Sequence, residues 1–154
     1  MSLISRFLLV SASLLIACDP GYTYHPEDWQ PLEKGFSWKK SLDGIDVNIY
    51  SFGGLVGSRS ISLSVRLTNR TNELLVLEGA ELIAQDHQAF TAKLPDSGDL
   101  RWRSVGPNES GSIELYWDFD QPAMDVLGEQ PQVTLYLRQG VQTERVEIKF
   151  SREE

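Results

Sequence analysis

Two imidazoles, one thiol and 22 carboxylates are the groups with chemistry to offer in this 154-residue chain. His25 stands with Glu27 and Asp28, and imidazole beside carboxylates is a donor set that suits a transition metal. Pro26 disturbs that spacing, so an exposed polar linker explains the trio better than a metal site. His87 lies in Asp86-His87-Gln88, the composition of a solvated turn. A Ser–His–Asp set needs a serine activated by that histidine, and no nucleophile-elbow pattern occurs in the chain. Asp118, Asp120 and Asp125 form the densest acidic group, and carboxylate oxygens suit calcium. The Gly-containing spacing of an EF-hand loop is missing, so acids on the solvent face of a strand are the plainer reading. A glycosidase-type acid and base cannot be chosen among 22 carboxylates without geometry. The expectation is a chain with no catalytic set, no metal and no cofactor.

Two further features bear on binding. The segment from Ser51 to Arg59 is Gly-rich, yet it fails the phosphate-loop spacing and has no Lys-Ser or Lys-Thr pair. It reads as a flexible hairpin loop whose apolar tip, Leu55-Val56, offers a contact point for a partner. Trp29, Trp38 and Trp102 offer a sugar-stacking or protein-contact surface, since tryptophan is favoured at interfaces. Their packing against the domain is the competing and simpler role. Trp117 falls on the apolar side of its strand and belongs to the core.

The elements that must position these residues are strands. Period-two alternation marks Ile45-Val47-Ile49, Ile61-Leu63-Val65-Leu67, Ile113-Leu115-Trp117-Phe119, Val133-Leu135-Leu137 and Val146-Ile148-Phe150. Leu74–Ala84 reads as a further strand, with shorter ones around Phe90–Leu94 and Leu100–Val105. Turn clusters at Pro95–Gly98, Gly106–Gly111 and Gly128–Pro131 separate them, and Gln121–Leu127 reads as a helical turn. Seven or eight strands, one-sided faces and no long helix predict an all-β antiparallel sandwich.

The N-terminus carries an address. Arg6 precedes an eleven-residue apolar run, Phe7–Ala17. That length fits the core of a secretory signal and falls short of the ~20 residues of a membrane-spanning helix. Leu15-Ile16-Ala17-Cys18 resembles the lipobox of bacterial lipoproteins. The resemblance implies cleavage between Ala17 and Cys18, a diacylglyceryl thioether on the Cys18 sulfur and acylation of the new amine, palmitate being the usual kind of chain. Cleavage by ordinary signal peptidase without lipid is the alternative. One acyl chain binds a membrane only reversibly at ~0.8 kcal/mol per methylene, whereas two or three hold a protein stably. Asp19 resembles an inner-membrane retention signal, which tilts the location toward that membrane and leaves the outer membrane as the alternative.

Cleavage leaves 137 of the 154 residues and removes one base and no acid, so the mature chain is more acidic than its net charge of −8. Phosphate binding needs clustered Lys and Arg, which excludes nucleic acid as a partner. Because Cys18 is the sole cysteine, the mature domain has no internal disulfide, no cysteine-based zinc site and no thiol catalysis. Residues 18–43, with Pro20, Pro26 and Pro31, read as a tether, mobile at first and packed on the domain from about Trp29. Residues 44–154 then form the sandwich.

Val65–Thr71 and Val105–Ser110, ahead of Ile113–Phe119, resemble small immunoglobulin-like domains of bacterial envelope lipoproteins. In those, a strand ends in Asn with a polar turn, and a Pro-containing turn precedes a strand rich in aromatics. The Cys…Trp…Cys spacing of antibody domains is missing, so the resemblance implies fold and not activity. Together these readings give a non-enzymatic, lipid-anchored protein facing the periplasm and binding an envelope protein partner. The alternative is a ligand- or glycan-binding module built on its tryptophans.

Overall fold

Alternation in the sequence becomes alternation in burial. The computed structural model describes residues 21–32, 37–50, 52–94 and 103–153. In chain order the strands are β1 (Gly21–Pro26), β2 (Gln30–Pro31), β3 (Ser37–Leu42), β4 (Ile45–Tyr50), β5 (Phe52–Leu55) and β6 (Ser60–Asn69). They continue with β7 (Leu75–Ile83), β8 (Ala89–Thr91), β9 (Ser104–Val105), β10 (Ser110–Asp118), β11 (Gln132–Gln139) and β12 (Gln142–Glu153). A single short helix among the described residues, α1 (Ala123–Leu127), lies between β10 and β11.

The strands form two antiparallel sheets. The first runs β5-β1-β12-β11-β7-β8, with β9 also on β7, and the second runs β10-β6-β4-β3-β2. Ile61, Leu63, Val65 and Leu67 of β6 and Ile113, Leu115 and Trp117 of β10 are buried, as are Val133, Leu135 and Leu137 of β11 and Val146, Ile148 and Phe150 of β12. They belong to one continuous apolar core shared by both sheets. Burial of such side chains contributes roughly 1.5–3 kcal/mol each and is the main term holding the two layers together. At one side the sheets are stitched by backbone bonds, Lys93 N to Tyr116 O at 2.7 Å and Tyr116 N to Lys93 O at 3.3 Å. The expected all-β sandwich is therefore present.

The strand count is higher than the seven or eight expected. Among the described residues there are twelve, and the four added ones are β1, β2, β3 and β5. Three of these correct the tether reading of residues 18–43. The described residues of that stretch, 21–32 and 37–43, belong to the sandwich, with β1 paired to β12 on one side and to β5 on the other. Tyr22, Tyr24 and Pro26 point inward while Thr23 and His25 alternate with them. The prolines do not oppose this, because Pro26 ends its strand and Pro31 sits in the short edge strand β2.

The fourth strand corrects the hairpin reading of residues 51–59. Phe52 is buried, stacks on Tyr24 with centroids 5.0 Å apart and meets Phe150 edge-on at 4.5 Å. The chain thus leaves the second sheet after β4, joins the first as β5, and returns as β6. Gly53 makes the close pairing with β1 feasible, since a Cβ there would fall 2.0 Å from the Tyr22 carbonyl oxygen. Only the turn beyond Leu55 remains loop. The helical turn expected near residue 121 is α1, which buries Ala123 and Leu127 and ends at Gly128 with φ of 73°. The turn at residues 95–98 and the segment 100–102 lie outside the described residues, as do residues 1–20.

Candidate functional site

The His25 trio does not converge. His25 lies in β1, its ring edge-on to Trp38 at 5.0 Å and its Nε2 3.0 Å from the Glu153 carboxylate. Glu27 instead accepts from the Ser151 hydroxyl. His25 is part of β1, Glu27 and Asp28 follow it in a bend, and no group of three possible metal ligands exists among the described residues. His87 sits at the left-handed position of a turn, φ 71°, with its N–H on the Ala84 carbonyl at 2.9 Å. Asp86 caps the same turn through Gln88 N–H at 3.1 Å.

The acidic group is split. Asp118 pairs with Lys93, whereas Asp120 and Asp125 face Asp86 across an open hollow of about 280 Å³ floored by Phe90 and Phe119. The two rings meet edge-on at 4.9 Å, so the hollow has an aromatic base and an acidic rim. Among the described residues that line it there is no cationic side chain.

Two of the three candidate tryptophans are removed by burial. Trp29 and Trp38 are each only 7 % exposed and belong to the core, Trp29 lying under the Lys40 ammonium at 6.0 Å. Neither offers a face to a sugar ring or a partner, which corrects their reading as contact residues. Trp102 lies outside the described residues, and so do Ala17 and Cys18. Trp117 is core as expected, and its indole N–H donates to the Phe90 carbonyl at 3.1 Å. Leu55 is 56 % exposed and Val56 half-buried, so the apolar tip is present at the position expected of it.

The ladders give the sandwich two ends. Gly21 stands opposite Leu55, and Thr23 stands opposite Glu153, so one end gathers the start of β1, the tip after β5 and the close of β12. The opposite end holds the β11–β12 turn at Gly140 and Val141, where Val141 is fully exposed. The β6–β7 loop meets it there: Gln139 donates to the Thr71 hydroxyl, and Leu74 in that loop is 49 % exposed.

Three polar groups escaped sequence reasoning. Asn69 is fully buried and is the hub of the β6–β7 loop. Its Nδ2 donates to the carbonyls of Glu73 at 2.7 Å, Val105 at 3.1 Å and Gly106 at 3.2 Å, and its Oδ1 accepts from Thr71 N at 3.0 Å. Its own N–H donates to the Glu109 carbonyl at 2.9 Å. Its signal was an Asn closing a strand before Arg-Thr, and what it binds is non-local. Asp46 is on the outer side of β4 and still buried, accepting from Ser41 Oγ at 2.7 Å and pairing with Lys39 at 3.1 Å and with Arg70. The Ser41 hydrogen bond first, then Lys39 and Arg70, hold its carboxyl below the ordinary range. Tyr24 is fully buried, and burial first, then the neighbouring Tyr22, push its phenol up to about 12.

No protein-family model matches the chain, and no curated protein matches it significantly. Among solved structures it is similar to a Northeast Structural Genomics Consortium target, at 12% identity over 73% of this chain and 88% of that one, with a TM-score of 0.42. It is also similar to a FixG-related protein from Vibrio parahaemolyticus, at 14% identity over 71% of this chain and 97% of that one, with a TM-score of 0.35. Neither likeness carries a function to this chain.

Proposed function

We propose that this chain is a lipid-anchored protein of the bacterial cell envelope, held by acyl chains on Cys18 and facing the periplasm. Its sandwich, immunoglobulin-like in type, binds a protein partner and performs no catalysis. The observation that carries this reading is the polarity of the domain. β1 begins three residues after Cys18, whereas the fully exposed Val141 lies at the far end of the twelve-residue β12. At ~3.3 Å per strand residue those ends are about 40 Å apart.

An anchor at one end and an exposed apolar tip at the other is the arrangement of a presenter. Asn69 supports the immunoglobulin-like type, because it ties the strand-end Asn turn to the Pro-containing turn through Val105 and Gly106. The acidic surface, at a net −8 for the whole chain, favours a basic partner over lipid headgroups or nucleic acid. Asp19 inclines the location to the inner membrane.

The test is photo-crosslinking in living cells with a benzophenone side chain at Val141, compared with the exposed position Gln130 at the other end. A discrete protein adduct at 141 and none at 130 is the expected result. Equal or absent adducts at both positions would sink the presenter reading.

A further inference from the structure

We propose that the Leu55–Val56 turn is a second, apolar contact with the bilayer, which sets the orientation of the sandwich on its anchor. The inference rests on acylation of Cys18 as proposed above. Three residue steps separate Cys18 from Gly21, a reach of at most about 11 Å. An anchor that short brings the Gly21 end of β1 to headgroup level. Leu55 stands directly opposite Gly21 in the β1–β5 ladder and arrives at the same level.

The chemistry of the turn suits that place. Residues 52–58 carry no charge and the exposed Arg59 follows them, while Asp118, Asp120 and Asp125 lie at this same end beside Ser58–Ser60, so the contact is apolar and gains nothing from headgroup charge. Leu55 is 56 % exposed, and it shares a groove of about 340 Å³ with Tyr116, which is 48 % exposed. Aliphatic side chains enter the acyl boundary, and tyrosine sits at the headgroup level, apolar body inward and hydroxyl in water. Glu153 is set back from the tip, level with Thr23 instead of Gly21.

The turn is also held firmly enough to orient the domain. Ser58 N–H donates to the Leu55 carbonyl at 2.9 Å, and Ser58 Oγ donates to the Ser60 carbonyl at 2.9 Å. Gly54 packs beside Tyr22, where an added Cβ would stand in ordinary contact, 3.4 Å from the phenol oxygen. Phe52, buried beside Tyr24 and Phe150, roots the strand in the core. With acyl chains alone the sandwich would swing about one point. With this turn seated as well, β12 points away from the membrane and carries Val141 outward.

The experiment uses the full-length chain, expressed in bacteria and purified with its lipid. It is reconstituted into phosphatidylethanolamine–phosphatidylglycerol vesicles with brominated acyl chains. Leu55→Trp and Val141→Trp are each compared with the parent chain, so that the difference in fluorescence reports the added indole. Both positions are exposed, and an unchanged thermal melt verifies the fold of each variant. The expected result is at least twofold quenching of the indole at 55 and none at 141. If the N-terminal peptide carries the acyl mass and the indole at 55 is unquenched, the membrane contact is overturned and the tip is left to a protein partner, while the anchor stands. If the peptide carries no acyl mass, the anchor reading falls and this inference falls with it.

Discussion

The phenol of Tyr24 donates to the carbonyl of Gly128 at 2.7 Å, across 104 positions of sequence. This bond ties β1 to the residue that ends α1, and Gly128 N–H in turn closes the helix on Met124 at 3.2 Å. β1 is an integral strand of the first sheet, and its Tyr22 and Tyr24 side chains belong to the core.

Tyr24→Phe should therefore cost about 1 kcal/mol at neutral pH, the net value of one such hydrogen bond. The alkaline limb should change as well. The phenol is raised from 10.0 to about 12 in the fold, so its contribution is complete below pH 10 and is lost as pH rises toward 12. Chemical denaturation across that window should show a steeper decline for the parent than for Tyr24→Phe, which has no proton to lose there.

Asp46 predicts the opposite limb. Its carboxyl is held below 3.8 in the folded chain, so its stabilisation is present above that value and disappears as pH falls through the lower, folded one. Asp46→Asn should cost about 1 kcal/mol at pH 7, by weakening charge-assisted bonds to Lys39 and Arg70. Below pH 4 the gap in melting temperature between parent and variant should close. A gap that did not narrow on acidification would refute the assignment.

Asn69→Ala should be the most damaging of the polar substitutions, at about 3 kcal/mol, because buried carbonyls on two loops lose their donor together. Urea denaturation measures it. Asn69→Asp should be nearly as harmful, since a carboxylate oxygen cannot donate to Val105 or Gly106.

Gly53→Ala should destabilise the β5–β1 pairing by about 2 kcal/mol, because the added methyl meets the Tyr22 carbonyl. Gly57→Ala, two residues past Leu55, meets no atom within 4 Å and should be nearly neutral. Hydrogen exchange of residues 22–24 and 52–55 should accelerate in the first variant alone.

Cys18→Ser should release or misprocess the proposed lipoprotein while leaving its melting temperature unchanged, because the described sandwich residues include no cysteine. Fractionation after a high-salt wash checks the first half, and circular dichroism the second. Full retention in the membrane fraction would contradict the anchor.

The strands from Ile45 onward were legible in the sequence because each buries one face, and burial of one face imposes period two on the residues themselves. Ile61–Leu67 and Ile113–Trp117 are the clearest cases. β7 shows where that logic slips. Leu75 and Leu77 face inward, then Ala80 and Leu82, and the register shift opposite Tyr136 and Leu137 inserts the extra residue that resets the phase. In β1 the alternation of Tyr22, Tyr24 and Pro26 was present but short, and its prolines imitated a linker. The apolar tip at Leu55 was visible as a run of uncharged residues within a glycine-rich stretch.

Other properties could come only from the tertiary structure. Whether Trp29 and Trp38 face solvent depends on what covers them, and the ring of His25 against Trp38 is a contact between separate sheets. The burial of Asp46 is made by Ser41, Lys39 and Arg70, which lie on β3 and just past the end of β6. Local sequence carries the period of a strand, because neighbouring side chains alternate by geometry alone. It does not carry the identity of the strand alongside, and that pairing is what set Leu55 opposite Gly21, three residues from Cys18.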